Sequence, residues 1–395
     1  MIKTNDKGKC CGCKTCSLVC PKNCISFRKD EIGSLYPSVN IEECIHCDQC
    51  EKVCPIQRSF DKKIGQKAYV AYSDDSEVRY RGSSGGMFET IAEWIIGKNG
   101  SVFASRFDSN LQLKCFEATN MTEVRRLTKS KYLQSDCVEA FPIIKKRVDS
   151  GVYVLFCSSP CQISALKSYL GPMASNDNLF LLDFFCHGVP SQGLFDKCIY
   201  YLEKKNRIRV TGYEFRSKIR NGATPHYYTI KYQKNNKELQ KTELYLKDPF
   251  YLGFQKYLTL RDSCYYCPYG YGHHYADITV GDFHNIERYI KGINRFDGVS
   301  TVLINTTKGH AIWNEISHSL VAHDIEIERL YNDKEIFSGP TKMPASRAEF
   351  INDMGGMDFQ DVVEKWLNSK VEWKKEVYYH MPTVLRNMIK RIAEL

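Results

Sequence analysis

The spacing of apolar and polar positions changes after the first sixty residues, and the two parts of the chain predict different structures. In the first part, weak alternation at residues 25–28 and 35–39 predicts the strands of a small hairpin. In the second part, nearly continuous apolar runs at 152–157 and 179–185 predict strands that are covered on both faces. Residues 87–96 place their apolar side chains on one helical face, so this segment predicts a helix.

Strands and helices alternate through the rest of the chain. This alternation predicts an α/β body with a mixed sheet, arranged in one lobe or in two, behind an N-terminal α+β domain. The basic amphipathic helix predicted at the C-terminus is expected to pack on the body, and contact with a membrane surface is the less favoured alternative. Further strands are predicted at residues 68–72, 101–107, 111–118, 207–215, 227–232, 242–246, 277–280 and 300–305, and further helices at 161–169, 193–204 and 383–395.

Length and composition narrow the class of protein. With 395 residues, 43% of them hydrophobic and 26% charged, the chain can bury a sizeable core and is not globally disordered. No apolar run approaches the 18 or more residues that span a bilayer, so a soluble cytoplasmic protein is expected. The net charge of +9 comes from scattered lysines, which favours docking of an acidic partner over nucleic-acid binding.

Eighteen cysteines are too many for a reduced cytosolic protein to use as a disulfide framework, so metal ligation or reactive thiols must account for part of them. Ten fall before residue 55, and eight of these form two copies of the run C-x2-C-x2-C-x3-C-P. This run is known from bacterial ferredoxins, where three cysteines bind one [4Fe–4S] cluster and the fourth binds the other. The predicted ligands are Cys10, Cys13, Cys16 and Cys54 for one cluster, and Cys20, Cys44, Cys47 and Cys50 for the other.

Zinc is the alternative metal, because pairs of cysteines with this spacing also form tetrahedral zinc sites. The doubled run that ends in Cys-Pro favours iron–sulfur clusters. Cys11 and Cys24 lie outside the repeat, and small buried thiols are the favoured interpretation for both.

Four short motifs of the body carry further chemistry. A glycine-rich segment at 82–86 leads into the helix at 87–96, as in loops that contact phosphate, although an ordinary turn has the same composition. The segment 130–135 combines a lysine, a tyrosine, an amide and hydroxyls, and taken alone it is typical of a solvated loop. Residues 157–162 and 185–190 follow predicted strands, at the edge of the sheet where ligands bind in α/β proteins.

These motifs, in this order after a two-cluster module, resemble the family of coenzyme F420 hydrogenase and dehydrogenase beta subunits, which includes 7-hydroxymethyl chlorophyll a reductase. The resemblance covers nearly the whole chain and implies FAD, iron–sulfur clusters and electron transfer to a substrate at the flavin. One position departs from the family, since Ser158 stands where glycine is usual, and it is expected to narrow or re-aim part of the flavin pocket. The implied flavin-binding residues are Gly82, Ser83, Ser84, Gly85, Gly86, Lys131, Tyr132, Gln134, Ser135, Pro160 and Gln162.

With this resemblance, the chain is expected to divide into three regions. Residues 1–60 form the two-cluster ferredoxin-type domain, and a polar linker follows at 59–66. Residues 67–150 form the N-terminal part of the flavin-binding body, and residues 151–395 form its C-terminal part with the C-terminal helices. Four cysteines of the family motifs are predicted to bind a third [4Fe–4S] cluster, with a zinc site or unligated thiols as the alternatives: Cys161, Cys186, Cys264 and Cys267.

The expected function is therefore an oxidoreductase. Clusters pass single electrons, and a flavin collects them for a two-electron reaction with a small organic substrate or a deazaflavin. A ferredoxin or a similar low-potential carrier is the expected partner. His187 is the candidate proton donor, although a structural hydrogen bond fits it equally well. An electron-transfer adaptor without its own substrate site is the main alternative, and an iron–sulfur regulator would need a recognition helix and a basic stripe that the sequence lacks.

Overall fold

A computed structural model describes residues 2, 6–56, 65–218, 227–272, 274–283, 297–328 and 339–368, with five further positions nearer the C-terminus. The predicted helix at 383–395 lies outside the described residues, apart from three single positions. Of the linker predicted at 59–66, residues 59–64 also lie outside the described residues.

The N-terminal module is built on one hairpin and two short helices. Strand β1 (Ile25–Lys29) pairs antiparallel with β2 (Leu35–Val39), which confirms the two strands that weak alternation predicts. Helices α1 (Thr15–Leu18) and α2 (Gln49–Lys52) each begin inside one of the two cysteine runs.

The body contains an eight-stranded mixed sheet in the order β13-β3-β12-β11-β7-β6-β4-β5. Strands β4, β6, β7 and β11 are parallel neighbours, whereas β12, β13 and β5 run antiparallel to the strands beside them. The predicted regions 67–150 and 151–395 thus share one sheet. Its strands are β3 (Lys67–Ser73), β4 (Ser101–Phe107), β5 (Leu113–Ala118), β6 (Val154–Cys157), β7 (Leu179–Phe184), β11 (Ile278–Asp282), β12 (Ser300–Ile304) and β13 (Leu320–Ile325).

Helices cover both faces of this sheet, which explains the continuous apolar runs of its central strands. Apolar residues of α4 (Met87–Gly97), α5 (Met121–Leu127) and α10 (Thr307–Ile316) pack in one core cluster with the sheet. Those of α6 (Ala140–Asp149) and α7 (Pro160–Leu170) pack in another. The short helix α3 (Ser76–Arg81) joins β3 to the glycine-rich segment.

A second lobe follows, with an aromatic core around a three-stranded antiparallel sheet in the order β10-β9-β8. The predicted antiparallel stretch is confirmed, but its last strand begins five residues earlier than the pattern indicates. The elements are α8 (Gln192–Asn206), β8 (Arg209–Ser217), β9 (Tyr227–Lys234), β10 (Lys237–Leu244), α9 (Pro249–Gln255), α11 (Arg347–Gly356), α12 (Phe359–Val362) and a π-helical turn at Val363–Leu367.

The N-terminal module docks on the body through its hairpin turn. Gly33 has a φ of +77°, and a Cβ built on it would lie 2.8 Å from the Cα of Gly193 in α8. The hydroxyl of Ser191 donates a hydrogen bond to the carbonyl of Ile32 in the same turn. Ile32 is therefore part of the core of the second lobe.

Strand β13 is not predicted from the sequence, because half of its residues are exposed and its alternation is weak. None of the described helices is both long enough and apolar enough to cross a bilayer.

Candidate functional site

Four cysteines of the N-terminal module lie together and are called the inner thiol set: Cys10, Cys13, Cys16 and Cys54. Burial raises the pKa of Cys16, and the neighbouring thiols of Cys13, Cys10 and Cys54 raise it further. The cysteine of the second run therefore crosses to the first three, as the ferredoxin pattern implies.

The other four cysteines of the runs line one cavity and are called the outer thiol set: Cys20, Cys44, Cys47 and Cys50. Its walls also include Cys24, whose sulfur lies 3.4 Å from that of Cys20. Cys24 is buried, in agreement with the interpretation that the sequence favours.

The two cysteine runs share an unusual backbone conformation. In each run, the residues two and four positions after the first cysteine have a left-handed φ: Gly12 and Lys14 in one, His46 and Asp48 in the other. Three of these four are not glycines, and left-handed φ values are unfavourable for such residues. Both loops are thus bent in the same way around their cysteines, as two copies of one binding loop require.

The body contributes a third group, called the body thiol set: Cys161, Cys186, Cys264 and Cys267. Burial raises the pKa of Cys186, and the thiols of Cys264, Cys161 and Cys267 raise it further, so the four lie close together. Cys161 is in the first turn of α7, Cys186 follows β7, and Cys264 belongs to a 3-10 turn at Asp262–Tyr266. Three separate elements therefore bring together the cysteines that the motifs single out.

Cys11 lies between the inner and the body thiol sets. Its buried thiol packs in one cluster with Cys13 and Cys161, and hydrogen bonds with both raise its pKa. The sequence gives no signal for this position, because Cys11 falls outside the repeat. Among the described residues, no three histidine, cysteine or carboxylate side chains converge tightly enough to hold a single metal ion.

The glycine-rich segment lies at the edge of the sheet where β3 ends. The N–H of Ser73 donates to the carbonyl of Gly85, and the N–H of Gly85 donates to the hydroxyl of Ser300. A Cβ on Gly85 would lie 2.6 Å from the carbonyl oxygen of Ala71, so the chain needs glycine there. Gly86 has a φ of +89° and precedes the first residue of α4.

Two basic side chains contact this loop: Arg216 in β8 and Lys218, the residue that follows β8. The sequence does not single out either of them. Arg216 is buried, donates to the carbonyl of Ser83 at 3.1 Å, and pairs with Asp282 at 2.7 Å. Lys218 donates to the carbonyl of Ser84 at 2.9 Å. Burial, together with the charge of Arg216, lowers the pKa of Lys218 to about 7.

The remaining residues expected near a flavin have varied contacts. Lys131 donates to the carbonyls of Leu127 and Thr128 at the end of α5, and burial lowers its pKa to about 7. Tyr132 accepts a hydrogen bond from Arg216 and stacks on Phe254.

Gln162, in the first turn of α7 after Pro160, donates to the carbonyl of Ser135, while its buried Oε1 has no hydrogen-bond partner among the described residues. The hydroxyl of Ser135 lies 3.2 Å from the sulfur of Cys137. Gln134 instead contacts the N-terminal module, since its amide donates to the carbonyls of Cys11 and Gly12.

His187 lies beside the body thiol set and is exposed, with its ring stacked on that of Tyr257. The structure reveals a second histidine that the sequence does not separate from surface residues. His274 is buried, and its Nδ1 lies 3.0 Å from a carboxylate oxygen of Asp183. Asp183 is the fifth residue of β7, so this pair lies near the same edge of the sheet.

Two segments of the chain match known families. Residues 151–329 match the family described as the C terminus of the coenzyme F420 hydrogenase/dehydrogenase beta subunit. Residues 9–57 match the 4Fe-4S dicluster domain. The inner and outer thiol sets fall within the second match and the body thiol set within the first, and the second match supports iron–sulfur clusters in the N-terminal module.

Similarity to individual proteins follows the same division. The coenzyme F420-dependent sulfite reductase of Methanocaldococcus jannaschii is 27% identical over 173 residues, which are 41% of this chain and 25% of that protein. The chain thus spans about a quarter of the length of that relative. An uncharacterized ferredoxin of the same organism is 37% identical over 62 residues, which are 16% of this chain and 79% of the ferredoxin.

Among solved structures, one chain of the F420-reducing [NiFe] hydrogenase complex from Methanosarcina barkeri aligns with a TM-score of 0.44 and 17% identity. The alignment covers 71% of this chain and 92% of that chain.

Proposed function

Because the chain belongs through residues 151–329 to the coenzyme F420 hydrogenase/dehydrogenase beta-subunit family, and carries a 4Fe-4S dicluster domain, we propose that it is an iron–sulfur flavoprotein oxidoreductase. It passes electrons between a ferredoxin-like carrier, three [4Fe–4S] clusters and FAD. The flavin then exchanges a hydride with a small organic substrate or with a deazaflavin such as coenzyme F420. The observation that carries this proposal is the packing of Cys11 with Cys13 and Cys161 in one buried cluster at the boundary of the module and the body.

That contact makes the thiol sets a continuous series from the module into the body. The outer set, the inner set and the body set would each hold one cluster through four thiolates, the ligands that such clusters use. Clusters transfer one electron at a time, so this series would supply single electrons to the body. Zinc in all three positions would leave the series without a redox function.

The edge of the sheet is the proposed flavin site. The loop at 82–86 that leads into α4, the buried Arg216 that contacts it, and the unpartnered Oε1 of Gln162 would supply groups that a dinucleotide needs: a helix N-terminus, positive charge and a buried acceptor. A bound flavin would exchange single electrons with the clusters and electron pairs with a substrate. His187 stays the proposed proton donor or flavin neighbour, and His274 is the second candidate because Asp183 orients it.

Metal and flavin analysis of the anaerobically purified protein tests the assignment. We expect about twelve iron atoms, if each cubane holds four, and one FAD per chain. Cys264→Ser should lower the iron content by about four atoms and leave the N-terminal clusters intact. Cys198→Ser is the control, because Cys198 is a buried cysteine that belongs to none of the three thiol sets. Zinc in place of iron, or equal iron contents in both variants, contradicts the proposal.

Stopped-flow reduction distinguishes the enzyme from an adaptor. Chemically reduced ferredoxin should reduce the bound flavin in the wild type, and Cys13→Ser should slow that reduction strongly because the inner cluster is lost. A chain that carries clusters but neither flavin nor substrate-linked oxidation is an adaptor.

The salt dependence of flavin reduction by ferredoxin tests which charges of this chain attract the ferredoxin. The net charge of +9 and exposed residues such as Lys22 and Arg28 favour an acidic ferredoxin, although Glu42 and Glu43 lie beside the outer thiol set. We therefore expect the rate of flavin reduction by ferredoxin to fall as salt screens the attraction between the two proteins. A rate that rises with salt would show that the acidic residues dominate.

A further inference from the structure

Arg261 carries a guanidinium that is almost completely buried between the N-terminal module and the body, with 1% of the residue exposed. Its Nε donates to the carbonyl of Cys10 at 2.6 Å, and one Nη donates to the sulfur of Cys10 at 3.4 Å and to the carbonyl of Leu35 at 2.8 Å. The other Nη donates to Oε1 of Gln134 at 3.4 Å. All three nitrogens of the guanidinium therefore make hydrogen bonds at the interface between the N-terminal module and the body.

No carboxylate among the described residues pairs with this charge. Two other buried arginines do have carboxylate partners: Arg216 pairs with Asp282, and Arg347 pairs with Asp262. A buried charge without a counter-charge is unfavourable, so proteins pair such groups. The ionisable group that Arg261 hydrogen-bonds is the thiol of Cys10, a member of the inner thiol set.

We propose that Arg261 is the counter-cation of the inner thiol set and raises the reduction potential of the cluster held there above that of the cluster on the outer thiol set. This inference rests on the proposed function, in that both sets hold [4Fe–4S] clusters. A positive charge and an N–H donor at a ligand sulfur favour the reduced, more negative cluster, because hydrogen bonds to sulfur and charge set such potentials.

The position of Arg261 gives this effect a direction. The backbone N–H of Arg261 donates to the carbonyl of Val189, and its carbonyl accepts from the N–H of Cys264. Arg261 would stabilise the reduced form of the inner cluster, and its backbone also holds the chain beside the body thiol set. An electron that arrives at the outer set would move inward, toward Cys11 and the body.

Redox titration of the full chain, followed by electron paramagnetic resonance, tests this role in Arg261→Gln. We expect the one-electron reduction equilibrium of one N-terminal cluster to fall about tenfold, which is about 59 mV, while the other cluster is unchanged. Cys47→Ser should lose the outer cluster, so the resonance signal that disappears in this variant belongs to the outer set and the one that stays belongs to the inner set. Arg261→Lys keeps the charge and should restore most of the shift.

Gln134→Ala is the control for a purely structural role. It removes hydrogen bonds to the same loop, at Cys11 and Gly12, and the one that Gln134 accepts from Arg261, but it leaves the charge in place, so it should shift the potential much less than Arg261→Gln does. An unshifted potential in Arg261→Gln, or an equal shift in Gln134→Ala, overturns the proposal. If Arg261→Gln loses the inner cluster, retention of that cluster in Arg261→Lys and Gln134→Ala supports it, and loss in all three overturns it.

The readout separates this inference from the proposed function. Potentials of the N-terminal clusters can be measured whether or not flavin is bound, so absence of flavin leaves the inference standing. Absence of iron from both N-terminal sets removes its premise, and the inference fails together with the function.

Discussion

Asp248 is a buried carboxylate that caps the helix it precedes. Its Oδ1 accepts from the N–H of Tyr251 at 2.6 Å in the first turn of α9. Burial raises its pKa from about 4 to about 6. The folded protein therefore binds more protons at this residue than the unfolded chain between those pH values, and the free energy of unfolding falls as pH rises through that window.

We predict that Asp248→Asn stabilises the protein at pH 8, by about 1–3 kcal/mol, because the amide keeps the cap without the cost of a buried charge. Chemical denaturation at pH 4.5 and pH 8 measures the effect, which should shrink at the lower pH. Asp75→Asn is the matched control, since Asp75 caps α3 in the same way but is exposed. A destabilised Asp248→Asn protein at pH 8 would show that the charge is needed.

The two candidate histidines differ in how firmly they are held. His274 is fixed by Asp183, whereas His187 is exposed beside the body thiol set. A carboxylate that orients a histidine is typical of acid–base sites. We predict that His274→Gln slows substrate-linked flavin oxidation by about tenfold or more, because the proton donor is lost. The same measurement on His187→Gln decides between the residues, because a larger effect there would return the role to His187.

At the scale of elements, the turn between α3 and α4 depends on one close approach. A Cβ on Gly85 would meet the backbone carbonyl of Ala71 at 2.6 Å, and the hydroxyl and backbone nitrogen of Ser300 at 2.9 and 3.0 Å. We predict that Gly85→Ala lowers the free energy of unfolding by about 1–3 kcal/mol and weakens flavin binding. Gly97→Ala, at the end of α4 where a Cβ meets nothing within 4 Å, should change stability by less than about 0.5 kcal/mol. Equal effects in denaturation curves would contradict this interpretation.

Elements with a strong pattern are predictable from the sequence, and those without one are not. Continuous apolar runs locate β6 and β7, and the cysteine spacing indicates the members of both N-terminal thiol sets. Lys218 and Arg216 carry no local signal, because their role depends on where β8 lies beside the loop at 82–86. Gln134 has a motif, yet its contacts with Cys11 and Gly12 depend on how the module docks on the body.

For the whole molecule, the joint between module and body depends on both backbone fit and charge. Gly33 has a left-handed φ and faces Gly193, so a side chain there adds both strain and overlap. We predict that Gly33→Ala lowers the midpoint of thermal unfolding by several degrees and slows electron transfer into the body. Calorimetry and stopped flow measure the two effects.

Gly151→Ala separates overlap from strain in that experiment. Gly151 has a φ of +75°, close to that of Gly33, but a Cβ there meets nothing within 4 Å. It should therefore cost only the backbone strain, about 1 kcal/mol, and leave electron transfer unchanged. A Gly151→Ala variant as impaired as Gly33→Ala would show that the overlap with Gly193 is unimportant.

The back-to-back glycines also limit how such a protein can be assembled from parts. Since the Cα atoms of Gly33 and Gly193 leave no room for a methyl group, neither position tolerates a side chain while its neighbour stays in place. A ferredoxin module grafted from another protein onto this body would therefore need a glycine at the tip of its hairpin. Any lineage that replaces one of the two glycines is expected to have moved the hairpin or rebuilt the start of α8 as well.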